Sequence, residues 1–410
     1  MHDPLRAAFE IREQLASEKR KLAFFFGAGT SMAAGSPGID ELTKKVFEQL
    51  PGPEKNQLEN VMKGLAPNSN IENILDRIRT LLELFGQSED IEFSGLKGFA
   101  VAKKLETQIC QTICKIVCEH PLKGLNSHLI FSKWLRALHS NRDWPVEIFT
   151  TNYDLLLEQA LEDSGVPFFD GFVGSVNPFF VPESVEAETD KKDESVYPPK
   201  TWTRLWKLHG SINWCIQKRT IVESITRLSG YEGREGKELV IFPSREKYTQ
   251  SRKLPFLAFH DRLRKFLSDG ECLLVIIGYS FSDQHINEII FQGLRSNPRL
   301  AIAALAYGEQ KINLNPPQFQ LQDNIIGYGK ENKNLSIYGP DKACIAGLTE
   351  MWGEPNRKRK ETEIWPFWNE ELKYFTLGDF NCFASFLELF IGFQSASAYF
   401  LSNAKQGTLE

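Results

Sequence analysis

The chain has 410 residues, 42% of them apolar and 25% charged, with a formal net charge of −5. That length suits about two or three domains of ordinary globular composition, and the acidic balance gives no reason to expect direct nucleic-acid binding. No run of about 18 uncharged apolar residues occurs, so no membrane span is expected. The stretch Met1 to Arg20 is charged and helix-periodic, with no signal-peptide core. Seven cysteines, without any CxxC pair or framework spacing, point to a reducing and hence cytoplasmic setting.

Residues 4–19 have the spacing of an amphipathic helix, and Leu22–Phe26 is an apolar run ending at glycine, the pattern of a buried parallel strand. From Asp40 to about Arg142 the pattern is helical and no strand is predicted. The helices expected there are Glu41–Leu50, Glu54–Gly64, Ile71–Phe85, Phe99–His120 and His128–Ser140. Cys110, Cys114 and Cys118 fall on one helix face at spacing four and are read as a buried stripe, since metal ligands must converge from more than one element. Val146–Thr150 is the next strand and Tyr153–Ser164 a helix. An acid-rich stretch at about 183–200 reads as a solvated loop.

Arg204–His209 and Glu238–Phe242 are predicted strands, followed by a helix over Lys253–Ser268. Cys272–Gly278 is the clearest buried strand, after which Ser282 or Asp283 caps a helix through Leu294, and Ala301–Tyr307 closes the series. Strands alternating with helices imply an α/β fold with a doubly wound, Rossmann-like parallel sheet, whose ligand sits beyond the strand C-termini. The expected organisation is a catalytic domain over 1–310, with a helical insertion at about 40–142, and a C-terminal appendage over 311–410. Thirty Phe and eight Trp suggest aromatic surface between subunits, and so a homo-oligomer.

Four polar patches follow predicted strands. Gly27-Ala28-Gly29-Thr30-Ser31 opens a helix, where glycines let the backbone approach a diphosphate and free N–H groups hold its charge; a tight turn without ligand is the plainer reading. Thr150-Thr151-Asn152-Tyr153-Asp154 offers an amide to orient a water and a carboxylate to accept from a ribose hydroxyl, or a helix start capped by Thr151 or Asn152. His209 stands before Gly210, and histidine is the residue type most often used as a general base; a lone histidine is otherwise often structural. Trp214 suits a pocket wall or the core. Gly278-Tyr279-Ser280-Phe281-Ser282-Asp283 can hold a distal ribose or adenine, or simply cap a helix.

Taken in order, Gly-Ala-Gly-x-Ser, Thr-x-Asn-x-Asp, His-Gly and Gly-x-Ser after a strand resemble the sirtuin (silent information regulator 2) family over roughly residues 20–310. The resemblance implies that Gly27, Ala28, Gly29, Thr30 and Ser31 line the diphosphate site of NAD. It implies that Asn152 and Asp154, beside Thr151, face the nicotinamide ribose and carboxamide. His209 is then the catalytic base, and Gly278, Ser280 and Asp283 belong to the adenosine side.

The departures are informative. Deacylating sirtuins carry a zinc ribbon of two CxxC pairs, which this sequence lacks, so no zinc is expected. Their Gly-Ile-Pro-Asp-Phe-Arg loop is replaced by Gly35-Ser36-Pro37-Gly38-Ile39-Asp40, and the glutamine of their Thr-Gln-Asn is Thr151. These features are similar to bacterial sirtuin-like proteins of antiphage defence that hydrolyse NAD, and among them to the partner of a HerA-type ATPase. The expected activity is therefore NAD hydrolysis to nicotinamide and ADP-ribose. Transfer chemistry (lysine deacylation or ADP-ribosylation) and non-catalytic sensing of NAD or ADP-ribose are the alternatives.

Overall fold

The strand Lys21–Phe26 is apolar on both faces because both are covered. In the computed structural model its side chains alternate between two cores, Ala23 and Phe25 on one side and Leu22, Phe24 and Phe26 on the other, as the two-residue period of a strand requires. The structure describes residues 1–67, 69–119, 126–138, 142–186, 198–218, 223–228, 239–241, 255–310, 319–355 and 366–390.

Among these residues the main sheet has nine strands. From one edge to the other they are Leu348–Met351, Lys342–Ile345, Leu335–Tyr338, Leu300–Leu305, Cys272–Ile277, Lys21–Phe26, Glu147–Thr150, Thr203–Lys207 and Phe168–Phe169. Pairing is parallel from Phe168–Phe169 through Leu335–Tyr338 and antiparallel at the last two edge strands. This is the expected mixed α/β, Rossmann-like arrangement. The chain leaves Lys21–Phe26 for Glu147–Thr150 on one side and later fills Cys272–Ile277 on the other. Strand order thus reverses around the central strand, which opens a crevice at its C-terminal end.

One face of the sheet carries the helices Phe256–Ser268, Gln284–Ser296 and Asp323–Glu331, which supply Phe259, Leu263, Ile286, Ile290 and Ile325 to the core. The opposite face carries Pro4–Ala16, Asn126–Leu138 and a helix over 380–390, with Ile11, Phe131, Trp134, Phe380 and Phe383 packed on Phe24 and Phe26. Three of the nine strands and this last helix come from beyond residue 310, where an appendage is expected, so the described part of that region shares the sheet and its core.

The stretch read as an insertion holds the helices Ile39–Gln49, Gly52–Lys63, Ile71–Phe85 and Phe99–Glu119 around a core of their own. A small hairpin, Glu92–Phe93 with Leu96–Lys97, interrupts it where no strand was predicted. Cys110 and Cys114 are buried in the stripe and Cys118 is half-buried. A second sheet, of which the sequence reading has only the strand at Glu238–Phe242, has the order Leu239–Ile241, Gly210–Lys218, Glu223–Arg227, Phe179–Phe180 and Phe172–Val173. It occupies much of the long interval around His209. Trp214 belongs to it and is core, packed on Phe172 and Phe259 at centroid distances of 5.0 and 5.9 Å. The acidic stretch contributes a short helix, Pro182–Glu186, while its residues 187–197 lie outside the described residues.

The start of Ile71–Phe85 bears on the site described next. Asn70 Oδ1 accepts from the N–H groups of Glu72 and Asn73 at 3.0 and 3.2 Å, and Asn73 Oδ1 accepts from Asn70 N–H at 3.1 Å. This reciprocal cap satisfies donors that the first helical turn leaves open. Asn70→Ala is expected to cost about 1 kcal/mol, read from the shift of the urea midpoint.

Candidate active site

The parallel strands deliver four loops to one edge of the sheet, and backbone contact joins two of them. Gly27 N–H donates to Ile277 O at 3.0 Å and Gly29 N–H to Gly278 O at 2.9 Å. A Cβ on Gly27 would stand 2.4 Å from Gly278 O, and one on Gly29 would stand 2.7 Å from Gly278 Cα. These glycines are needed because the Gly27–Ser31 turn and the Gly278 loop touch backbone to backbone. Thr30 N–H is also engaged, by Gly27 O at 3.0 Å. The expectation that free N–H groups of this turn hold a diphosphate is therefore corrected at Gly27, Gly29 and Thr30, whose N–H groups are taken by Ile277 O, Gly278 O and Gly27 O. Ala28 and Ser31 are the members of the patch that line the cavity.

Asn152 binds the third loop to the first. Its Nδ2 lies 3.0 Å from Gly27 O, 3.0 Å from Thr30 Oγ1 and 2.8 Å from Ser31 Oγ. Ser31 Oγ passes the chain on, donating to Asp154 Oδ2 at 2.5 Å. Asp154 Oδ1 in turn accepts from Leu156 N–H at 3.0 Å, an Asx turn just before the helix Leu156–Asp163. The helix-cap reading of Thr151 or Asn152 is overturned: the cap residue is Leu155, without a side-chain cap bond. Asn152 turns back toward the glycine patch, where buried acceptors require a donor.

His209 follows Thr203–Lys207, and its Nε2 lies 2.9 Å from Asp283 Oδ2. Asp283 is also the N-cap of Gln284–Ser296, with Oδ1 accepting from His285 N–H at 3.0 Å and Ile286 N–H at 3.3 Å. Of the two cap residues the sequence allowed, Asp283 rather than Ser282 holds the position, and its second oxygen faces the candidate base.

These loops enclose a cavity of about 540 Å³, within the usual range for small-molecule sites. Of the residues singled out in the sequence, Ala28, Ser31, Thr151, Asn152, Asp154, His209, Gly278, Ser280 and Asp283 line it, whereas Gly27, Gly29 and Thr30 stand behind the wall. Four serines, Ser31, Ser36, Ser280 and Ser282, and two histidines, His209 and His285, line the same space. The helical insertion closes one side with Asn70, Glu72 and Asn73. Sequence reasoning missed these three. The capping-box spacing at Asn70 was legible, but nothing local says that a helix start some eighty residues upstream of Asn152 will face it.

Burial dominates the electrostatics around the site. It pushes the Tyr153 phenol up, with the neighbouring charges of Glu72 and Asp154 acting in the same direction. His128, on the helix Asn126–Leu138, is held down at about 4 by burial, against the opposing pull of Asp154. It is therefore neutral at pH 7, and its buried Nδ1 has no hydrogen-bond partner among the described residues. Lys207 Nζ contacts Asp154 O and pairs with Glu158 Oε1 at 2.7 Å, fixing the strand end under the third loop.

Among the described residues no group of three His, Cys, Asp or Glu side chains is placed to hold a metal ion, and no helix is long and apolar enough to cross a membrane. A comparison with curated proteins finds no match. Residues 146–325 match the family model of the SIR2-like domain, a span that carries Asn152, Asp154, His209 and Asp283, and this supports a sirtuin-like chain with NAD-related activity.

Proposed function

We propose that the protein is an NAD hydrolase (NAD glycohydrolase), with NAD as its substrate. The observation that carries this reading is the convergence of His209 with the Asn152–Ser31–Asp154 chain on one cavity at the strand C-termini. The substrate's diphosphate would lie along Ala28 and the serine hydroxyls, the nicotinamide ribose beside Asp154, and the adenosine half toward Gly278 and Ser280. As the bond between ribose C1′ and the pyridinium nitrogen breaks, its electron pair goes to nicotinamide, which leaves neutral. Asn152 Nδ2 is committed to the glycine turn, so its Oδ1 would accept from the incoming water. The water oxygen bonds to C1′, and its proton passes to His209 directly or through a ribose hydroxyl. The products are nicotinamide and ADP-ribose.

The setting proposed with this activity is a defence effector that depletes NAD, restrained by homo-oligomerisation or by a HerA-type ATPase. That part rests on the sequence resemblance. Phe380, Phe383 and Phe386 are buried within the chain's own core, whereas Leu84, Ile91 and Phe93 of the insertion are exposed. The insertion is thus the better candidate contact surface.

The test is incubation of the full chain with NAD, alone and with an acetyl-lysine peptide, and resolution of products by mass. Nicotinamide and ADP-ribose formed without an acceptor are expected. Dependence of nicotinamide release on the peptide would instead favour deacylation or transfer, and tight binding of unchanged NAD would favour a sensor.

A further inference from the structure

We propose that Asp283 is the positioning residue of the His209 base, an assignment that rests on the hydrolase reading above. Two engagements of the carboxylate bear on this role. Oδ1 is fixed by the N–H groups of His285 and Ile286, at the positive end of a thirteen-residue helix that favours an anion there. Oδ2 lies 2.9 Å from His209 Nε2, and the two side chains are only 14% and 10% exposed. A carboxylate accepts and cannot donate when ionised, so the proton of the neutral imidazole sits on Nε2 and the lone pair on Nδ1. When Nδ1 takes up a proton, the imidazolium forms beside a fixed negative charge, shielded from solvent.

The loop carrying Asp283 is held more firmly than a helix cap requires. Tyr279 Oη lies 3.1 Å from Asp283 O and 2.9 Å from Asn287 Oδ1, which share its one proton, and Asn287 Nδ2 donates to Phe281 O at 2.7 Å. Between them Phe281 adopts φ of 55° and is buried. A bulky side chain in the left-handed region persists only where its surroundings enforce it, and such strain gathers at functional sites. The strained, cross-braced loop places one carboxylate oxygen opposite one imidazole nitrogen.

Asp283→Asn separates positioning from capping. Asparagine caps a helix as well as aspartate, but its amide nitrogen then faces Nε2 as a donor and drives the imidazole proton to Nδ1. The measurement is the imidazole ¹⁵N spectrum of histidine-labelled full-length protein, with the His209 signal assigned by its loss in His209→Gln. It is taken alongside NAD turnover. We expect an Nε2–H tautomer in the wild type and an Nδ1–H tautomer in Asp283→Asn. In that variant kcat should fall by about 10²–10⁴-fold while KM moves by less than about threefold.

An Nδ1–H tautomer in the wild type, an unchanged tautomer in the variant, or a flipped tautomer with kcat intact would each overturn the proposal. If the variant fails to fold, the wild-type spectrum alone decides the proton's position. If the wild type leaves NAD uncleaved, the hydrolase reading fails, and the tautomer still reports on the Asp283–His209 pair.

Discussion

Replacement of His209 by alanine is expected to lower NAD cleavage by about 10²–10⁴-fold, the usual contribution of a positioned proton acceptor, while the fold persists. The imidazole stands at a strand end, bordering the cavity rather than filling a core, so its removal leaves no packing void of the kind that unfolds a domain. Asp283 loses one partner but keeps two helix N–H groups, which limits the penalty for a stranded carboxylate to about 1–3 kcal/mol. Steady-state nicotinamide release, with circular dichroism to verify folding, checks both halves. Full turnover in His209→Ala would move the base to another group; His285, which faces the same space, is the first to examine.

Gly278→Ala is expected to be the most damaging single methyl group in the site. Gly278 has φ of 67°, and a Cβ there would meet Thr30 N at 2.6 Å and Gly29 Cα at 3.0 Å. The left-handed backbone costs about 1–2 kcal/mol for an alanine and the clash about 1–3 kcal/mol more, so the variant should lose about 2–5 kcal/mol. Gly270→Ala provides the control. Its φ is 71°, with nothing within 4 Å of the added Cβ, so it should show the backbone cost alone. Urea unfolding of both variants separates the terms, provided the m-values agree. Equal losses at the two positions would mean that the two loops do not touch in solution.

Much of the fold is legible because it rests on local physics. Leu22–Phe26 and Cys272–Ile277 are apolar without alternation, which only a strand covered on both faces explains. The helices of the insertion follow from their apolar period, and Ile71–Phe85 has the predicted bounds. Of the second sheet only the strand at Glu238–Phe242 was legible, found as Leu239–Ile241. Three of its five strands have two or three residues, one pairing in it is bulged, and some of its pairs join residues distant in sequence, such as Phe179 opposite Thr226.

The candidate site divides along the same line. The chemistry of Asn152, Asp154 and His209 could be read from residue type and from their places after predicted strands. Their partners could not. That Asn152 would spend its amide on the glycine turn, and that Gly27 would be required by Gly278 rather than by a ligand, depends on distances between loops more than one hundred residues apart.

The strand–helix alternation, the glycine-bearing loops and the stock of polar groups can be read from the chain alone, since each is written in side-chain periodicity or backbone permissiveness. That a helix-capping aspartate also faces the histidine, that the start of an inserted helix closes the cavity, and that strands beyond residue 310 extend the sheet follow from the folded arrangement. The physical reason is that hydrogen-bond partners and close backbone contacts are chosen by proximity in space, which a one-dimensional pattern does not encode.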